Sequence, residues 1–373
     1  MRKCRFAGKC GGCTYQGMPY KEQLAVKQRK IEKLLGRFHP VRTIIGMEEP
    51  CFYRNKVHHA FTRDRSGNII SGPYEANSHW IINVDECMIE DRKSQEIMHT
   101  IRSLIKKLKI RPYDEDRKTG VLRHVLIRRG FSTGEIMVIP VIGSNELPQS
   151  GAFVKELCKE HPGIKTVVLN YNSEKTSMIL GKRERVLYGP GHIYDELCGL
   201  RFRISPQSFF QINPVQTGKL YRTAVNYAGL TGKETVIDAY CGTGTIGITA
   251  SKYAAKVIGV ELNPDAVRDA RINAEENGIR NVEFFNADAG EFMAKLAAEK
   301  TKIDVVFMDP TRSGSTVKFL SALCRLKPKR IVYVSCGPQS LAGDLRYLTG
   351  NGYRCTRIQP FDMFPFTEHI ETV

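Results

Sequence analysis

Between residues 234 and 350 the chain alternates short apolar runs with longer amphipathic stretches. The runs at 234–239, 256–261, 282–285, 303–308 and 330–335 read as buried strands, and the segments 246–254, 264–277, 289–299, 315–325 and 338–350 read as helices. Such alternation predicts a doubly wound parallel sheet. The first 200 residues are patterned differently. A helix over 20–35 carries Leu24, Ile31, Leu34 and Leu35 on its apolar face and stops at Gly36, while Lys27, Arg29, Lys30 and Lys33 crowd the rest as a solvated or RNA-facing edge. A strand over 53–63 interleaves basic and aromatic residues and turns through 65–68 into Ile69 and Ile70. A helix over 94–109, capped by Ser94, leads to a hairpin of 122–130 with 135–141. A helix-like stretch over 151–161 and a strand over 164–170 follow. The expected class is α/β, with residues 1–200 as a smaller α/β module and residues 201–373 as a Rossmann-like sheet domain.

Charge adds a partner to this picture. The excess of lysine and arginine over acids is +17, which favours a polyanion through counterion release. Nucleic acid fits better than a membrane surface, because no long basic helix carries an aromatic face. In the basic strand, Arg54, Lys56 and Arg63 are placed to hold phosphates; Tyr53 and Phe61 read either as stacking rings or as plain core. No apolar run approaches the roughly 18 residues of a membrane span. The opening Met-Arg-Lys-Cys-Arg has no apolar stretch behind it, so a cytoplasmic location is expected.

Eleven cysteines, an odd number, argue against a disulfide framework and for metal binding or catalysis. Cys4, Cys10 and Cys13 are spaced C-x5-C-x2-C with glycines inside the tight pair, where backbone amides can turn toward sulfur. Cys87 is the best fourth ligand and Cys51 its competitor. Four thiolates suit zinc or an iron–sulfur cluster. A single C-x2-C pair favours [4Fe–4S], and four protein ligands would close it as a structural cluster.

The carboxyl-terminal sheet carries the other chemistry. Gly242 and Gly244 lie in its first strand-to-helix turn. Glu261 ends the next strand, placed to accept ribose hydroxyls, and Asp288 ends the third, placed to read an adenine amine. This set fits an S-adenosylmethionine site. Asp309 opens Asp-Pro-Thr-Arg at the end of the fourth strand, as a ligand-side group or as a helix N-cap. Cys336, in Val-Ser-Cys-Gly-Pro, follows the fifth strand, where open α/β sheets bind ligands; an inert buried thiol is the plainer alternative. Gln207–Pro214 offers Gln211 and two phenylalanines to a flat base. Glu368 and Glu371 are both candidates for a general base, and their spacing does not choose between them.

These pieces resemble the uridine-C5 RNA methyltransferases. The resemblance covers nearly the whole chain and is carried by Ser-Cys-x-Pro at 335–338, Asp-Pro-x-Arg at 309–312, Phe-x-Gln-x-Asn at 209–213 and Phe-Pro-x-Thr-x-His-x-Glu at 364–371. It implies Cys336 as nucleophile and Glu371, rather than Glu368, as base. It places Gln211, Tyr240, Glu261, Asp288 and Asp309 on the cofactor side, with S-adenosylmethionine as methyl donor. Cys4, Cys10, Cys13 and Cys87 match the cluster ligands of the iron–sulfur branch that acts on 23S ribosomal RNA; a transfer-RNA substrate stays open. The implied chemistry is thiolate addition at C6 of uracil, methylation at C5 and removal of the C5 proton, on a base extruded from its RNA. Electropositive surroundings are expected to favour the thiolate. A monomer is expected.

The sequence departs from the family pattern in places. Gly337 replaces the usual Asn after the nucleophile, and Thr245 stands where relatives often have Asn. An RNA-gripping barrel of the kind many relatives carry is not expected ahead of Cys4. Two residues follow Glu371 where relatives run on through a final strand, so the base is expected to be less well buttressed. Two rival readings remain: a cytosine-C5 enzyme, which would prefer a Pro-Cys or Thr-Cys context, and a catalytically idle RNA-binding assembly factor.

Overall fold

The computed structural model describes residues 4–76, 78–176 and 178–373. The elements of the amino-terminal half are α1 (Tyr20–Leu35), β1 (Lys56–Arg63), β2 (Ile69–Gly72), α2 (Arg92–Lys107), β3 (Leu122–Arg129), β4 (Ile136–Ile142), α3 (Ser150–Glu160), β5 (Ile164–Tyr171), β6 (Arg183–Tyr188), β7 (Ile193–Leu197) and β8 (Leu200–Ile204). Those of the carboxyl-terminal half are α4 (Pro214–Ala228), β9 (Thr235–Ala239), α5 (Thr245–Ser251), β10 (Lys256–Glu261), α6 (Pro264–Glu276), β11 (Val282–Asn286), α7 (Ala289–Ala298), β12 (Val305–Met308), α8 (Val317–Leu326), β13 (Arg330–Tyr333), α9 (Pro338–Gly350), β14 (Pro360–Phe361) and β15 (Glu371–Thr372).

Two compact units interleave along the chain. The first holds the described residues up to Gly17 together with Pro50–Glu196 and Arg203–Gln207; the second holds Met18–Glu49, Leu197–Phe202 and Ser208–Val373. The first unit is built on a six-stranded sheet in the order β2-β1-β3-β4-β5-β6, antiparallel except where α3 carries the chain from β4 to a parallel β5. Alternate residues such as Val57, Phe61, Val125, Ile127 and Val138 share a core with Ile97 and Ile101 of α2 and Phe153 of α3. Tyr53 and Phe61 are buried, so both are packing residues rather than stacking surfaces. The cap of α2 is Asp91, whose carboxylate accepts from the Ser94 N–H and hydroxyl; the helix therefore starts two residues before the expected Ser94. β6 carries Arg183, Glu184 and Arg185 and is largely exposed, which leaves no apolar alternation to announce it.

The second unit holds the parallel five-stranded sheet in the order β11-β10-β9-β12-β13. Its central strands β9, β10 and β12 are mostly apolar and buried because helices cover both faces, whereas the edge strand β11 is largely exposed. Four of its helix starts are marked in the sequence: Asn213 before Pro214, Asn263 before Pro264, Asp288, and Thr316 all cap through their side chains.

Helix α1 belongs to this second unit rather than to the amino-terminal module. Ile31 and Leu35 are fully buried in one core with Leu341 and Leu348 of α9, each contributing about 1.5–3 kcal/mol of burial. Lys27 is not part of a solvated face. It is fully buried, with Nζ 2.5 Å from Oδ1 of the equally buried Asp362 and 3.1 Å from the Phe364 carbonyl. Tyr20 donates to the other Asp362 oxygen at 2.8 Å.

Candidate functional site

The strand order reverses between β9 and β12, so a crevice opens at their carboxyl ends, where doubly wound sheets take ligands. The residues singled out from the sequence stand around that edge. Tyr240, Gly242 and Gly244 make the turn after β9, all with positive φ. A Cβ on Gly244 would come within 2.8 Å of the Phe284 ring, so glycine is required there on two counts. Glu261, at the end of β10, secures this turn: its Oε2 accepts the Gly242 N–H at 3.0 Å and its Oε1 accepts the Asn263 N–H at 2.8 Å. Asp288 follows β11 and is exposed; its Oδ1 caps α7 by accepting the Glu291 N–H at 2.9 Å. The Tyr240 hydroxyl lies 2.8 Å from Ser315 Oγ, and its ring packs against Phe319 at 5.2 Å. Gln211 is buried. Two residues on, Asn213 donates from Nδ2 to the Met363 carbonyl at 2.8 Å.

Cys336 and Glu371 come together through a backbone ladder. Ser335 and Thr372 pair antiparallel, Phe361 pairs with Glu371, and Gln359 and Val373 exchange both backbone hydrogen bonds at 2.8 and 2.9 Å. Glu371 is therefore buttressed on both sides, contrary to the expectation from its place in the sequence. Glu368 is exposed and pairs with Lys30 at 3.3 Å. Cys336 is half-buried, not sealed in hydrocarbon.

Electrostatics at the cysteine also differ from expectation. Burial, then the nearby Glu371 and Asp309, push the Cys336 thiol up to about 11, against a smaller downward pull from Arg312. Its surroundings are acidic, and it rests as a thiol. Burial pushes Asp309 up to about 7; burial and the Asp309 charge hold Glu371 well above the usual carboxylate range. Asp309 is not a helix cap, since α8 is capped by Thr316.

Two further groups escaped the reading of the sequence. Tyr221 on α4 is buried, its hydroxyl 3.0 Å from Thr245 Oγ1. Burial and the charges of Asp309, Asp238 and Glu371 raise its phenol. Asp238 sits buried inside β9, pushed up to about 7 by burial, with Oδ2 accepting the Gly247 N–H at 2.7 Å. A carboxylate within the apolar run Val-Ile-Asp-Ala was the available signal for Asp238. Tyr221 had none, because α4 itself was not recognised.

In the first unit, Cys4, Cys10, Cys13 and Cys87 line one cavity of about 90 Å³ with Arg54, Glu90 and His58. Cys51 does not line it. All eleven cysteines are free thiols, and the Gly12 N–H points at Cys10 Sγ over 3.4 Å. Gln95 of α2 grips the Cys87 peptide from both sides, accepting its N–H and donating to its carbonyl, each at 2.8 Å. Among the described residues, no three His, Cys, Asp or Glu side chains stand where they could hold one metal ion.

The second unit's sheet, glycine turn and acidic strand ends are those of an α/β S-adenosylmethionine-dependent methyltransferase fold. The family model described as tRNA (Uracil-5-)-methyltransferase matches residues 193–373. An uncharacterized RNA methyltransferase of Caldanaerobacter subterraneus is 44% identical over 377 residues, covering 99% of this chain and 82% of the relative. A second, from Halalkalibacterium halodurans, is 43% identical over 375 residues with the same coverages. The crystal structure of Pyrococcus abyssi tRNA (uracil-54, C5)-methyltransferase in complex with S-adenosyl-L-homocysteine is 30% identical, with a TM-score of 0.83 over 98% of this chain and 85% of that one. The chain belongs to the RNA (uracil-5-)-methyltransferase family. Among the described residues, no helix is long and apolar enough to cross a membrane.

Proposed function

We propose that this protein transfers a methyl group from S-adenosylmethionine to C5 of a uridine in 23S ribosomal RNA, through a covalent bond between Cys336 and C6. The observation that carries the reading is the placement of Cys336 beside Glu371 and Asp309, at the same edge of the sheet as the glycine turn. Gln211, Tyr240, Glu261, Asp288 and Asp309 are assigned to the cofactor side. The cofactor, when bound, supplies an electrophilic methyl sulfonium. Cys336 loses its thiol proton to water and adds as the thiolate to C6, which pushes electron density to C5 and lets C5 take the methyl group. Glu371 then removes the C5 proton, and the S–C6 bond breaks to restore the C5–C6 double bond and release the thiolate, which regains its proton from water. A buried carboxylate with raised proton affinity suits that last step. A uridine paired inside a folded RNA has to be extruded to reach Cys336.

Cys4, Cys10, Cys13 and Cys87 are assigned to a [4Fe–4S] cluster with a structural role. Support comes from four free thiols around one cavity with an amide aimed at sulfur. A cubane spreads its thiolates over four irons, so they need not converge on one point as the ligands of a single zinc ion do. These cysteines are also what favours ribosomal RNA, by resemblance. Transfer RNA is the second reading, favoured by the Pyrococcus abyssi neighbour, whose substrate is a tRNA.

The test is methyl transfer from labelled S-adenosylmethionine to unmodified 23S ribosomal RNA and to unmodified tRNA, with the labelled nucleotide mapped. A 5-methyluridine in the ribosomal RNA supports the proposal. Label confined to tRNA moves the assignment to the second reading, and RNA binding without transfer makes the chain an assembly factor.

A further inference from the structure

Gly337 stands where the family pattern has Asn, and the structure gives the difference a use. A Cβ at position 337 would lie 2.4 Å from the Arg312 carbonyl oxygen and 2.6 Å from Ser340 Oγ. The loop after β12 therefore comes closer to the Cys336 turn than any side chain at 337 would allow. Ser340, in the first turn of α9, ties the two together. Its hydroxyl lies 2.9 Å from the Arg312 carbonyl and 2.8 Å from the Gly337 carbonyl, so its single proton serves both segments. The far end of the loop is held separately, by Asp344 of α9. That carboxylate accepts the Ser315 N–H at 2.8 Å and the Tyr333 hydroxyl at 2.7 Å.

We propose that Gly337 and Ser340 form a latch that seats the loop after β12 against the nucleophile turn, making both residues positioning residues for Arg312. This rests on the reading of Cys336 as the nucleophile. The groups acting on Cys336 are Glu371 from β15, and Asp309 and Arg312 from the loop; only the last is cationic. Asp309 is tied to the end of β9 through its N–H and the Ala239 carbonyl. Loosening the latch thus moves Arg312 and leaves Asp309 in place. A cation withdrawn from a thiol makes the thiolate harder to form. On this view Gly337 compensates, by close approach, for an acidic nucleophile pocket.

The experiment reads the pH dependence of iodoacetamide alkylation at Cys336, by mass spectrometry of its peptide, on the full chain without RNA or cofactor. Ser340→Ala, which removes one hydroxyl, and Gly337→Asn, which restores the family residue, should each raise the midpoint by about half a pH unit. Arg312→Gln should raise it at least as far, and Ser340→Ala added to Arg312→Gln should then change nothing more. An unchanged midpoint in Ser340→Ala, or equal shifts with and without Arg312, overturns the latch. Loss of folding in Gly337→Asn leaves the Ser340→Ala result to decide. Methyl transfer by Cys336→Ala would instead remove the covalent reading and leave the alkylation result standing, so the two failures are told apart.

Discussion

Ser335 and Thr372 exchange both backbone hydrogen bonds, N–H to carbonyl at 2.9 Å in each direction. In an antiparallel pair the next residue on one strand faces the preceding residue on the other. The residue after Ser335 is Cys336, and the residue before Thr372 is Glu371. The proposed nucleophile at one helix entrance and the proposed base on the last strand are thus set side by side by main-chain geometry, which mutation of either side chain leaves intact.

Glu371→Gln should therefore keep adduct formation and lose its resolution. Denaturing electrophoresis after incubation with substrate RNA should show a protein–RNA band that wild type does not accumulate, with turnover reduced at least 100-fold, the usual scale for losing a general base. Free product release at the wild-type rate would assign the proton to another group.

The thiol itself is held back by its acidic neighbours. Removing either charge, by Glu371→Gln or Asp309→Asn, should lower the midpoint of Cys336 alkylation from about 11. A midpoint that rises or stays fixed in both variants would contradict the site's electrostatics.

Stability should follow the same carboxyl groups. The folded-state value of Asp309 is raised, to about 7 from an ordinary 3.8, so between those values the folded chain binds more protons than the unfolded one. Stability is then lost as pH rises from about 4 to about 7. Asp309→Asn should flatten that part of the profile in urea titrations at a series of pH values. A wild-type profile that instead climbs more steeply than the variant's over this window would reverse the sign.

Cys87→Ser should abolish the visible absorbance and the iron content of anaerobically purified protein, whereas Cys51→Ser should leave both unchanged, because Cys51 does not line the cavity. Equal iron in the two variants would place the ligands elsewhere.

Lys27→Ala should destabilise the protein by about 3–5 kcal/mol, since it leaves the buried Asp362 without its counter-charge. Replacing the pair together, as Lys27→Met with Asp362→Leu, should recover much of that loss in denaturant titrations. A single variant within about 0.5 kcal/mol of wild type would mean that water reaches the pair.

The carboxyl-terminal sheet was legible because its central parallel strands are mostly apolar runs, and because Asn-Pro and Asp mark several of its helix starts. The strand-end acids could be found for the same reason, since a strand boundary fixes where Glu261, Asp288 and Asp309 emerge. What could not be read were effects of long-range packing. Lys27 looks like any basic residue on a helix until Asp362 is brought to it from 335 positions away. The Cys336 environment looked electropositive because net charge is a sum over the surface, while the thiol responds to the two carboxylates beside it. Gly337 read as a lost Asn, because a contact with the Arg312 carbonyl leaves no trace in spacing.

The placement of α1 bears on how this enzyme can be dissected. The stretch matched by the family model, residues 193–373, looks like a separable catalytic half. Excising it would strip the Ile31 and Leu35 side chains from the core they share with α9 and strand the Asp362 carboxylate in hydrocarbon nine residues before Glu371. A working minimal enzyme has to carry residues 18–49 as well, so the polypeptide's opening segment is a structural component of the half that performs the reaction.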